Sequence, residues 1–124
     1  MTFNWEDYLT LATELFGESS TSSIQEARFR SAISRAYYAA FNQARIFLES
    51  RDKVIIPSVN VHKYVISQFQ TSLDNRRHKI GNCLLVLRVY RNQADYDPDI
   101  IIKNETCQEA LVLARRIILS LDNL

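Results

Sequence analysis

Between Gly17 and Pro57 the chain contains no glycine and no proline, and the whole sequence holds only two of each. The stretch from Ser23 to about Ser50 can therefore run as one helix of near 28 residues, long for a globular protein. The same scarcity argues against a sandwich or barrel, whose tight turns draw on Gly, Pro and dipeptides such as Asn-Gly or Asp-Gly, which do not occur here. With 124 residues, 47% of them apolar, the expectation is one all-α domain over residues 1–124, an up-and-down bundle of about five helices.

Capping signals and apolar periodicity place the helices. The first opens at Asn4 as N-cap, carries Glu6 and Asp7 in its first turn, lines up Trp5, Leu9, Ala12, Leu15 and Phe16, and stops at Gly17. Ser23-Ile24-Gln25-Glu26 has the form of a capping box that starts the second. On that helix Phe29, Ile33, Tyr37, Ala40, Ala44, Phe47 and Leu48 share a face, flanked by Ala32, Ala36 and Ala39. Residues 54–59 form a connector, and a short third helix runs from about Asn60 to Thr71. A fourth, from about Asn75 to Tyr96, holds Ile80, Cys83, Leu84, Leu87, Tyr90, Arg91 and Ala94 in phase, with Gly81 expected to weaken it by about 1 kcal/mol relative to Ala. The last, from about Asn104 to Leu121, buries Cys107, Leu111, Ala114, Ile118 and Leu121.

Several functions are excluded by inventory. Gly17 and Gly81 stand alone, so no glycine-rich phosphate loop or hydrolase elbow exists. His62 and His78 have no Cys or carboxylate at i+3 or i+4, and Cys83 and Cys107 lack metal or disulfide spacing, so neither a metal nor another cofactor is expected. No apolar run reaches the roughly 18 residues of a membrane span, and the N-terminus has no signal-peptide order, which makes a cytoplasmic protein without membrane association the expectation.

Charge is segregated. Residues 23–53 and 60–96 together carry +7, and the two ends carry −6. A basic groove for a polyanion would produce this pattern, and so would complementary faces pairing within the fold. Arg76-Arg77-His78-Lys79 is the densest basic run, with Arg77 and Lys79 able to reach phosphate.

Arg91 is the most informative position. It lies one turn beyond Leu87 and two beyond Leu84, so helical geometry sets a guanidinium on the apolar stripe. There it must find an acid, a phosphate or a cleft, or extend to solvent from the helix end. Asp95 is the nearest acid, and a cleft formed by Arg91, Asn92, Asp95 and Tyr96 is the candidate catalytic or ligand site. The second helix carries a polar stripe, Arg28, Ser31, Arg35, Tyr38 and Asn42, beside its alanine flank. A partner surface would cover that otherwise smooth apolar strip, so these five are the candidate dimer interface, with Arg35 and Tyr38 also candidate ligand contacts.

Two segments carry a family resemblance: Arg30-Ser31-Ala32-Ile33-Ser34-Arg35-Ala36-Tyr37-Tyr38-Ala39-Ala40-Phe41 and Leu87-Arg88-Val89-Tyr90-Arg91-Asn92-Gln93-Ala94-Asp95-Tyr96. Together they resemble the HEPN family, in particular its prokaryotic branch reading S-R-x-Y-Y-A-x-F and R-x-x-A-D-Y. The resemblance implies a helical bundle that dimerises, often encoded beside a minimal nucleotidyltransferase in a toxin–antitoxin pair, and it makes RNA, a nucleotide or that protein the expected partner. Many members are metal-independent ribonucleases that use an arginine followed, after four to six residues, by a histidine, with both subunits' pairs in one cleft. Here Arg91 and Asn92 match the first half, while Tyr96, Asp97 and Pro98 occupy the positions for the histidine. Imidazole suits proton transfer near pH 7, whereas tyrosine at about 10 and aspartate at about 4 do not. The resemblance therefore implies a binding role around Arg91, with an endoribonuclease toxin and a purely structural interaction module, modified by its partner near Tyr96, as the alternatives.

Overall fold

A computed structural model describes residues 2–17 and 22–124; the side chains of Ser22 and Ser23, and with them the expected capping box, lie outside what is described. Among the described residues the protein is all-helical: α1 (Glu6–Gly17), α2 (Ser22–Ser50), α3 (Val61–Gln70), α4 (Asn75–Tyr96) and α5 (Asn104–Asp122). None of these helices is long and apolar enough to cross a membrane.

The central element is α2, which touches the other four helices. Its composition explains why. Ala32, Ala36, Ala39, Ala40 and Ala44 are all fully buried, and such small side chains let neighbouring backbones approach closely. The alanine flank is thus covered within the chain, and the expectation that a partner must cover it does not hold. One continuous core joins Ala12 of α1, Tyr37 and Leu48 of α2, Phe69 of α3, Leu84 and Leu87 of α4 and Leu111 of α5.

The helix ends follow local chemistry. The Asn4 Oδ1 accepts the Glu6 N–H at 3.1 Å, and the Asp74 carboxylate accepts from the amides of Arg76 at 2.8 Å and Arg77 at 3.4 Å, so both read as N-caps. Left-handed backbone at Lys53 (φ 58°) and Asn60 (φ 55°) turns the chain into and out of the 54–59 connector, at positions where glycine is the commoner choice.

The two glycines have other uses. Gly81 is buried where α4 passes the end of α3, and a Cβ there would lie 2.5 Å from the Gln70 nitrogen and 2.8 Å from its Cα. It is a close-approach residue, rather than only a weak point in a helix.

The basic run at the start of α4 is partly engaged within the fold, with Lys79 exposed. Arg77 forks onto the Asp52 carboxylate and lies over the Phe47 ring, Arg76 pairs with Asp74, and the His78 ring is 2.7 Å from the Gln70 carbonyl. Part of the charge segregation is therefore internal pairing.

Candidate functional site

The two motif segments meet in space. Ser34 on α2 donates to the Asp95 carboxylate at 3.1 Å, and the same oxygen lies 3.9 Å from Arg91 Nη1. The Arg91 guanidinium carbon sits 5.0 Å from the Tyr37 ring centre, 5.4 Å from Tyr38 and 5.7 Å from Tyr96. Arg91 is only 5% exposed, and its Nε has no hydrogen-bond partner among the described residues. A carboxylate at 3.9 Å and three aromatic faces thus surround the buried cation.

Of the residues expected to form a cleft at the end of α4, Arg91, Asp95 and Tyr96 come together. Tyr96 keeps 72% of its surface exposed, while Asn92 lies on the solvent side of the helix, apart from the cluster. The expected interface stripe also divides. Ser31 is exposed and Arg28 half-buried, Arg35 sits 5.0 Å from the Tyr8 ring centre of α1, and Asn42 is buried, with its amide donating to the Tyr38 carbonyl at 2.9 Å. Arg35, Tyr38 and Asn42 are thereby engaged inside the chain.

Three residues outside the expected site pack against or brace it. Arg30 sends its guanidinium to the carbonyls of Gln93 (3.1 Å), Ala94 (3.0 Å), Asp97 (3.0 Å) and Ile100, so a side chain of α2 satisfies the C-terminus of α4. Glu26 pairs with Arg30 at 3.3 Å and accepts the Ile102 amide at 2.8 Å, and that backbone bond holds its carboxyl below the usual range. The i,i+4 spacing of Glu26 and Arg30 was the visible signal; their long-range targets had none.

The third is His62, in the first turn of α3. Its Nδ1 is 2.7 Å from the Tyr37 hydroxyl, and its ring stacks on Phe41 at 4.2 Å. Burial, with the Arg91 and Arg88 charges, pushes its pKa down to about 4. Burial is also the main reason the Tyr37 hydroxyl is pushed well above its ordinary value, against the opposing pull of Arg88 and Arg91. Arg88, one turn before Arg91 on the same stripe, has a buried Nε without a hydrogen-bond partner among the described residues.

The His62 shift has a testable sign. The unfolded chain protonates this histidine near 6.5 and the fold resists protonation until about 4, so its contribution to stability is whole above 6.5 and disappears as pH falls through that interval. His62→Gln should melt below wild type at pH 7, with the gap narrowing steadily as pH is lowered towards 4. A gap constant with pH in calorimetric melts would refute this.

Beside the histidine opens a pocket of about 640 Å³ between the start of α1, α2, the start of α3 and α4. Among the described residues no group of three or more His, Cys, Asp or Glu side chains is placed to hold a metal ion.

A five-helix bundle whose paired arginine and tyrosine motifs close on one another between α2 and α4 defines the class of protein. The chain belongs to the HEPN family: the HEPN domain model matches residues 6–124. No curated protein and no solved structure gave a match.

Proposed function

We propose that this HEPN domain is a binding component of a prokaryotic two-component system, of the toxin–antitoxin or nucleotidyltransferase-associated kind, and that it works as a homodimer engaging RNA or a nucleotide at the α4 end around Arg91. The observation that carries this reading is the state of Arg91: a guanidinium 5% exposed, held against three tyrosine rings, with one carboxylate at 3.9 Å. A buried cation with one carboxylate at that distance draws an anion towards the exposed Tyr96 beside it, with Asn92 on the adjoining solvent-facing side of α4. The missing histidine at Tyr96, Asp97 and Pro98 favours binding over cleavage.

Because Arg91 is buried, its removal would test stability as much as binding. Exposed neighbours give the cleaner experiment. Tyr96→Ala and Asn92→Ala should each weaken the affinity for a fluorescein-labelled single-stranded RNA by about tenfold, the scale of one charge-assisted or stacking contact, with melting temperature nearly unchanged. Unaltered affinity in both variants, or a strict monomer by light scattering at micromolar concentration, would remove this reading.

A second reading, a metal-independent endoribonuclease, is favoured by one observation: His62 stands beside Tyr37, Arg88 and Arg91. RNA cleavage that survives chelation and is lost in His62→Gln would establish it.

A further inference from the structure

The Tyr37–His62 contact determines where the imidazole keeps its proton. Tyr37 is fully buried, out of reach of bulk solvent. Arg91 lies against the same hydroxyl, but a guanidinium only donates. Among the described residues the one acceptor within reach is His62 Nδ1 at 2.7 Å. The reverse arrangement, with Nδ1–H donating to the phenol, would leave a buried O–H without a partner, which is costly. Tyr37 therefore donates to Nδ1. A neutral imidazole with that nitrogen unprotonated carries its hydrogen on Nε2, and the low pKa keeps the ring neutral at physiological pH.

His62 is one of the residues lining the pocket, and Nε2 is the ring nitrogen left free of the phenol. The charged side chains that line this pocket are all cationic. Arg45, Lys63 and Arg88 line the same pocket, and no carboxylate does. Arg45 has a partner in Glu49, at 3.5 Å on the exposed surface of α2; Arg88 has its orphaned buried Nε. The first turn of α3 forms one wall, and its N-cap Asn60 makes no side-chain hydrogen bond to the free amides of that turn. Trp5, with the aromatic faces of Tyr38 and Phe41, forms the apolar part of the wall.

We infer that this pocket is a seat for a phosphate-type oxyanion, gripped by Arg45, Lys63 and Arg88 and by His62 donating from Nε2 as a fixed, neutral imidazole. The seat's cations are distinct from the Arg91–Asp95–Tyr96 cluster, and the two meet through the Tyr37–His62 contact. A histidine held in this form offers the seat a hydrogen bond from Nε2.

Two measurements test it. Long-range proton–nitrogen NMR correlation of the His62 ring at pH 7 should show hydrogen on Nε2 and a bare Nδ1, and Tyr37→Phe should release this fixed state. Binding is then followed with inorganic pyrophosphate and with a short single-stranded oligoribonucleotide. Lys63→Ala, at an exposed position, should weaken the bound probe by about tenfold, the loss of one charge-assisted contact. His62→Gln, whose amide can stand where Nε2 stood, should keep most of the affinity, while His62→Asn, which reaches only to the Nδ1 position, should lose it. Pyrophosphate binding with this variant pattern identifies a free phosphate as sufficient, and binding of the oligoribonucleotide alone with the same pattern identifies a backbone phosphodiester; either supports the seat. Hydrogen on Nδ1, no binding of either probe at millimolar concentration, or equal affinities for Lys63→Ala and wild type would overturn it. RNA binding lost in Tyr96→Ala or Asn92→Ala concerns the end of α4 and leaves this test untouched.

Discussion

Arg30→Ala should lower the stability of the domain by about 3 kcal/mol, equivalent to roughly 10 °C in melting temperature for a chain of this size. The figure follows from what the guanidinium holds. Four carbonyls, of Gln93, Ala94, Asp97 and Ile100, accept from it, and its side chain is only 22% exposed. Alanine removes this donor from all four oxygens, leaving the Gln93 carbonyl only the Asp97 amide, and frees Glu26 from its ion pair. Lysine should recover only part of the loss, because a single ammonium cannot reproduce a planar fork across several carbonyls. The change should also be visible at a distance: amide resonances of residues 93–102 should move most, because Arg30 sets the course of the chain beyond Asp95 and Tyr96. A calorimetric shift within about 2 °C of wild type would show that water replaces the guanidinium at little cost.

Gly81→Ala should destabilise by about 2–4 kcal/mol, the opposite of what helix propensity alone implies. Propensity favours alanine by about 1 kcal/mol inside a helix. The added methyl, however, would stand 2.5 Å from the Gln70 backbone nitrogen, and backbone cannot rotate aside as a side-chain tip can. Relief requires α3 to shift away from α4. Gly17→Ala is the control: among the described residues no atom lies within 4 Å of its added Cβ, its φ is not positive, and it should be neutral or slightly stabilising. Equal behaviour of the two variants in urea titrations would contradict the steric account.

These two residues mark the boundary of what was legible in the sequence. Helix positions were readable, since glycine scarcity, caps and apolar phase are local; α4 at Asn75–Tyr96 has the expected bounds. The anomaly of Arg91 was readable too, because its phase on the stripe follows from its own helix. Gly81 read as a weak spot because its reason for being glycine is Gln70, across a turn and on another helix. Arg30 read as part of a motif, with its carbonyl partners more than sixty positions away. The alanine flank suggested an exposed strip because periodicity reports which side chains share a face, while what covers that face depends on packing. His62 showed no pattern of its own, and only the fold sets it on Tyr37.

The way α4 ends has a thermodynamic corollary. A helix closed by its own left-handed glycine keeps that closure wherever the helix goes, whereas α4 is closed by a side chain borrowed from α2. Should the two helices part, that terminus opens in the same event. Secondary structure and packing are coupled here by construction, so circular dichroism at helical wavelengths and aromatic near-ultraviolet signals should disappear in a single concerted transition, without a helical but loosely packed form in between.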